Sequence, residues 1–248
     1  MRTRILVALA IVLAAAPAWA GFTLVQSGSG TTTTTTCTIA GLSAIGARDL
    51  LVVADDMFSF SGTSNSATDG TNTYSHCSNC NLGDSVALVR TDMWYVLSAA
   101  STAGSTTVTV TRSGSLGGFC YFAEYSYSGT AAAVDASGSA DSTAALTHGG
   151  IALTLTGTND AVVQGTVTGS GAATISSIAS GGSASYTSPF LHPNTQRSAM
   201  AGALNTTDGS APTWTLSGSA RSVTAAMAFS ETGGGGTTAR VRHRSEMY

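Results

Sequence analysis

Gly118-Phe119-Cys120-Tyr121-Phe122-Ala123-Glu124-Tyr125-Ser126-Tyr127-Ser128-Gly129 decides how the chain is read. It sets five aromatic residues and one of the four cysteines between two glycines. Large flat side chains bounded by turn formers fit a pleated, half-buried surface, so the stretch predicts a strand. In a regular strand Phe119, Tyr121, Tyr125 and Tyr127 share one face, and Cys120, Phe122, Glu124 and Ser126 share the other.

The chain repeats that grammar on both sides with smaller residues. Strands are predicted at 22–26, 33–39, 50–60, 72–76, 86–97, 106–112, 119–127, 151–156, 161–168, 173–178, 185–190, 199–205, 213–216 and 223–230. Thr106 to Thr111 and Ile151 to Leu155 alternate strictly, the mark of a strand with one wet face. Leu50-Leu51-Val52-Val53-Ala54 does not alternate and predicts a central strand covered on both sides. Short strands at this spacing, without helical periodicity, predict a single antiparallel two-sheet β-sandwich over 21–232.

Residues 1–20 stand apart. Arg2 and Arg4, an apolar run from Ile5 to Ala16, and Ala18-Trp19-Ala20 have the layout of a secretory signal peptide cleaved before Gly21. That run falls short of the roughly 20 apolar residues a spanning helix needs. The mature chain is therefore expected to be secreted, extracellular or at the cell surface or in a periplasm, and off the membrane. Residues 233–248, with four glycines followed by Arg240, Arg242 and Arg244, are expected to form a flexible tail.

The chain holds no lysine, and of the 10 basic and 13 acidic residues only Arg2 and Arg4 leave with the signal. The mature charge is then 8 − 13 = −5. A phosphate backbone needs clustered positive charge, which argues against nucleic acid as a partner.

Several stretches together resemble a known group. They are Leu50 to Val53, Thr68 to Tyr74, Met93-Trp94-Tyr95, Thr106 to Thr111, Glu124-Tyr125-Ser126, Asn159 to Val163, Trp214 to Ser217 and Ala225 to Phe229. The chain resembles the secreted bacterial β-sandwich modules, jelly-roll or concanavalin-like in shape, found in surface and extracellular proteins. The resemblance implies that fold and a role among adhesion, glycan binding and glycan cleavage. The insertion carrying Cys77 and Cys80 departs from the group's pattern.

Four cysteines in an exported chain predict disulfides, Cys77 with Cys80 in a polar loop and Cys37 with Cys120 between strands. A zinc site at His76, Cys77 and Cys80 lacks an obvious fourth ligand. Glycoside cleavage usually needs two carboxyls at a set separation, yet Glu124, Glu231 and Glu246 are far apart in sequence. Asp55 and Asp56, adjacent on a strand, point to opposite faces. Glu124 would act as an acid if buried among apolar groups; the plainer expectation is pairing with Arg90 or Arg112. No Gly-x-Ser-x-Gly occurs, and His148, His192 and His243 stand isolated, as surface residues do. A structural calcium at Asp69 to Asn72 and Asp84 competes with a simple hairpin turn there.

No catalytic residues, cofactor or metal ligands are therefore assigned. Ligand binding is assigned to Trp94, Tyr121, Tyr125 and Tyr127, whose rings could stack on sugars; the same rings are also what sandwich interiors are built from. The function expected is an exported, non-catalytic binding or surface-interaction module, with a polysaccharide or cell-surface glycan as partner. The alternatives are a glycan-active hydrolase or lyase with an Asp-based site and a self-assembling structural subunit joined by strand edges.

Overall fold

The computed structural model describes residues 21–32, 34–114, 117–169, 173–188 and 197–232. The expected signal segment, the tail, His192, His243 and Glu246 lie outside them. Every regular element among the described residues is a strand: β1 (Phe22–Thr32), β2 (Thr36–Leu42), β3 (Leu50–Met57), β4 (Ser64–Thr68), β5 (Ser75–His76), β6 (Leu82–Asp84), β7 (Val89–Val96), β8 (Thr106–Arg112), β9 (Gly118–Tyr127), β10 (Ala131–Gly149), β11 (Asp160–Thr168), β12 (Ile175–Ala179), β13 (Ser198–Thr206) and β14 (Thr213–Thr232). No helix long and apolar enough to cross a membrane occurs among them.

The antiparallel all-β architecture agrees with the sequence, but the sheets number three where two were expected. A six-stranded sheet runs β1-β9-β3-β7-β5 with β6 beside β7. A five-stranded sheet runs β10-β14-β11-β13 with β12 on β14, and a three-stranded one runs β2-β8-β4. The six-stranded sheet is the middle layer. Leu50, Val52, Ala54, Met93, Tyr121, Ala123 and Tyr125 face the five-stranded sheet, meeting Val163, Met200, Met227 and Phe229. Leu51, Val53, Trp94 and Phe122 face the three-stranded sheet, meeting Ile39, Leu42, Val108 and Val110. This is why β3 is apolar without alternation: both of its faces are covered, and all its residues are buried.

The small sheet is brought down by β1, which runs along β9 and then crosses close over β2. A Cβ on Gly30 would stand 2.2 Å from the Thr38 carbonyl oxygen, so only glycine permits the crossing. Cys37–Cys120 bonds the two sheets there, and Cys77–Cys80 closes its own short loop as expected. Of the strand expected at 33–39, residues from Thr36 onward form β2, while the Thr34 amide donates to Thr32 Oγ1 at 2.9 Å ahead of it.

Three further expectations are corrected. β10 was not anticipated; its Ala, Ser, Gly and Asp residues show no alternation, and it is held as a strand by its ladder with β14. The segments expected at 213–216 and 223–230 are one continuous strand, β14. The 151–156 segment forms no ladder, although Ile151, Leu153 and Leu155 are half-buried in alternation on the outer face of the five-stranded sheet.

Candidate functional site

At one edge β1 and β9 of the middle sheet meet β13 of the five-stranded sheet. A crevice of about 50 Å³ lies there, lined by Leu24, Ala123, Tyr125, Thr187, Met200 and Gly202 among others. Its walls are apolar because alternate residues of β9 and β13 turn toward the interface between the sheets. Its mouth is shaped by a bulge. The β1–β9 register shifts between Leu24 and Gln26, leaving Leu24 and Val25 38 % and 39 % exposed on an edge strand. Bulges at sheet edges commonly re-aim side chains in this way.

Gly202 sets the depth of the crevice. A Cβ there would lie 3.3 Å from the Tyr125 hydroxyl oxygen and 3.4 Å from the Val162 carbonyl oxygen. Burial pushes the Tyr125 phenol well above its ordinary pKa, so it keeps its proton and can donate to a ligand oxygen. The crevice thus offers a small apolar socket with a hydroxyl at its side. Its volume is about a third of that of a cavity able to hold benzene.

Of the residues assigned to ligand binding, only Tyr125 lines this crevice, and it does so as a wall. Trp94 is 7 % exposed, Tyr121 0 % and Tyr125 4 %, so they form no exposed row on which a sugar ring could stack. Trp94 also lies on the opposite face of the middle sheet from the two tyrosines. Tyr121 is fixed by its hydroxyl at 2.8 Å from the Ser198 carbonyl oxygen. Tyr127 is half-buried and donates to the Leu97 carbonyl at 3.2 Å. Large rings are drawn inward here because a middle sheet has two cores to fill.

The carboxylates are held by structural partners. Glu124 pairs with neither arginine expected: it accepts from Gln26 Nε2 at 2.5 Å and from the Gly46 amide at 2.7 Å. Arg112 instead grips Asp55, its Nη2 lying 2.5 Å from Oδ1, with both side chains buried. Burial raises the Asp55 carboxyl and the guanidinium opposes that rise; the pair stays ionised because a neutral Asp55 would strand a buried cation. Asp56 points to the other face, accepts from Thr91 Oγ1 at 2.6 Å, and leaves Oδ2 without a hydrogen-bond partner. Burial holds its pKa well above the carboxylate range. Asp92 accepts from the Ser64 amide at 2.9 Å and from Arg90 Nε at 3.2 Å, with His76 Nε2 3.9 Å away.

The expected isolation of His148 does not hold. It is 3 % exposed, in contact with the Ser142 hydroxyl through Nδ1, and its Nε2 lies 2.7 Å from the Ala220 carbonyl oxygen. That carbonyl requires Nε2 to carry the proton, so Nδ1 accepts from Ser142. The bulges around Ala145 bring the two strand positions together, and no sequence signal announces them.

The two places considered for calcium are filled by donors. Asp69 Oδ1 accepts from the Thr71 and Asn72 amides at 2.8 and 2.6 Å, an Asx turn. Asp84 accepts from the Val86 and Ala87 amides and, at 2.6 Å, from Arg221 Nε. No group of three or more His, Cys, Asp or Glu side chains suited to a metal occurs among the described residues. No protein-family model, curated protein or solved structure matches the chain.

Proposed function

We propose that the chain is an exported, non-catalytic binding module of the jelly-roll or concanavalin-like kind, which takes a polysaccharide at the β1–β13 crevice. The observation that supports this reading is the crevice itself: an apolar socket with a protonated tyrosine hydroxyl, bordered by exposed Leu24 and Val25. A socket of about 50 Å³ suits one small apolar group carried on a polar chain, such as the acetyl or methyl substituent of a sugar. The two disulfides fit an oxidising compartment, as an exported module would require.

Calorimetric titration of the full chain with acetylated polysaccharides, against the same polymers after deacetylation, tests the reading. Saturable binding is expected only with the acetylated forms. Leu24→Ala should weaken it while the unfolding temperature changes little, because Leu24 borders the socket from an exposed position on the edge strand. Equal binding by deacetylated polymers would overturn the socket. Release of new reducing ends that disappears in Asp92→Asn would replace binding by glycan cleavage.

A further inference from the structure

Gly21 and Phe22, where β1 begins, are held from three other strands at once. The Gly21 nitrogen donates to Ser128 Oγ at 3.1 Å, just past β9. The Ser128 hydroxyl in turn donates to Glu231 of β14, 3.2 Å from Oε2, and the Gly129 amide donates to the same oxygen at 2.8 Å. From the other side Asn205 of β13 brackets Phe22. Its Oδ1 accepts the Phe22 amide at 2.6 Å and its Nδ2 donates to the Phe22 carbonyl at 3.0 Å. Phe22 is buried, its ring centroid 5.8 Å from that of Tyr127. Gly21 has a φ of 148°, and a Cβ there would stand 2.0 Å from Asn205 Oδ1, so a side chain at this position would push out the amide that brackets Phe22.

Glu231 is a carboxylate without a cation. The ion pairs formed among the described residues involve Asp55, Asp84, Asp92 and Asp141, and none includes it. Arg48 reaches the same loop but gives its Nη2 to the Gly129 and Thr130 carbonyls. The residues before Gly21 have the layout of a leader cleaved at this point. Cleavage consumes one water: its oxygen goes to the new carboxylate of the leader, and the Gly21 nitrogen becomes an ammonium. We infer that Ser128, Glu231 and Asn205 form a docking site for the chain's own processed amino terminus, in which the Gly21 α-ammonium pairs with Glu231. The site rests on the exported reading, with cleavage before Gly21. An amide nitrogen has one proton, which Ser128 accepts; an ammonium has three, so it can keep Ser128 and turn a second toward the carboxylate one hydroxyl away. An exposed ion pair is ordinarily worth little because two long side chains must be ordered to form it. Here the Gly129 amide already fixes the carboxylate and Asn205 already fixes the terminus. The charge would tie β1, at the edge of the six-stranded sheet, to β14 of the five-stranded one.

The chain has no lysine, so an amine-directed acetylating reagent finds the α-amino group as its one amine. The acetyl cap restores an amide, which keeps an N–H for Ser128 and removes the charge. The full chain is expressed with its leader, and the intact mass of the exported product shows where it begins. A product that retains residues 1–20, or that is cut elsewhere, would overturn the exported reading and the site with it. On a product beginning at Gly21, the unfolding temperature is followed before and after acetylation. At pH 6.5 the free amine is expected to unfold about 2–4 °C higher. The groups facing it are Glu231 from β14, the neutral Asn205 from β13, Arg48, and Tyr127 from β9, whose hydroxyl is turned to the Leu97 carbonyl. An α-amino group has an ordinary pKa of about 7.7–8.0, and pairing raises it in the folded chain. The advantage is therefore complete below that value and is lost as pH rises above it, so the two forms should unfold together at pH 10. Glu231→Gln keeps an acceptor for Ser128 and Gly129 and removes the charge; its free and acetylated forms should unfold alike at both pH values. Equal unfolding temperatures for the two wild-type forms at pH 6.5, a difference undiminished at pH 10, or one that survives in Glu231→Gln would each overturn the ion pair while leaving the exported reading intact.

Discussion

Asp55 and Asp56 are chain neighbours on β3, and the two sides of the middle sheet treat them oppositely. Toward the three-stranded sheet, Asp55 meets a buried arginine, and a disulfide ties the sheets a few ångströms further on. Toward the five-stranded sheet, Asp56 meets only hydroxyls, with Thr91 as its hydrogen-bond donor and Tyr121 and Ser198 nearby. The first interface joins Ile39, Leu42, Val53, Trp94, Val108, Val110 and Phe122 and is fastened in addition by specific bonds. The second joins Val52, Met93, Tyr121, Val163, Met227 and Phe229, and its polar group is a carboxyl whose pKa burial pushes well up. Both interfaces are apolar, but only the three-stranded sheet is also tied to the middle sheet by a buried ion pair and a disulfide.

The two disulfides give that contrast its largest measurable effect. Cys37–Cys120 spans 83 residues and Cys77–Cys80 spans 3. By chain entropy, losing the first should cost roughly 4–5 kcal/mol and losing the second about 2. Urea unfolding of Cys37→Ala/Cys120→Ala and Cys77→Ala/Cys80→Ala measures both. Equal losses would mean that the small sheet does not depend on its staple.

The ion pair comes next. Arg112→Met leaves Asp55 charged and alone in a core, and should cost about 3–5 kcal/mol. Adding Asp55→Val should recover most of that loss, since two apolar groups can replace a buried pair. If the double variant remains as unstable as Arg112→Met, the arginine's contact with the Phe119 carbonyl, at 3.3 Å, carries more than the pairing does.

What the sequence disclosed follows the same division. β3, β8 and β9 were legible because Leu, Val, Thr and aromatic side chains report locally on burial. The third sheet was not, since which strands pair is set by partners far along the chain. β10 is the sharpest failure: its strand character comes from β14, not from its own residues. The 151–155 alternation was genuine but measured burial alone; Ile151 and Leu153 give their amides to Gln164 Oε1 and the Gly209 carbonyl, not to a ladder. At the crevice, Tyr125 could be singled out as a functional aromatic, but the bulge that exposes Leu24 and Val25 leaves no mark on the sequence. Nor could spacing have joined Asp135 to Asp160, which meet only because β10 and β11 each lie beside β14.

The smallest effect is also the one that tests that raised carboxyl directly. Asp56 has its pKa raised by burial, chiefly, and Asp160 is raised to about 7 by burial and then by Asp135. Each therefore holds more protons folded than unfolded at any pH above about 3.8, the ordinary aspartate value. Their contribution to stability is complete below that pH and is lost as pH rises through each raised pKa, about 7 for Asp160. Asp84 and Asp135 act in the opposite sense. Burial raises both, but hydrogen bonds from Ala87, Val86 and Arg221 to Asp84, and from Thr156 to Asp135, outweigh it and bring them below the ordinary value. Their contribution vanishes in acid below about 3.8. The protein should accordingly be most stable between about pH 4 and 6 and lose stability toward pH 8. Asp160→Asn should remove the part of the fall centred near pH 7, and Asp56→Asn should remove a further part of it. Urea midpoints across that range decide the matter. A profile that Asp56→Asn leaves unchanged would mean the carboxyl is ionised and partnered inside the second interface, and the distinction between the two faces of the sheet would fall with it.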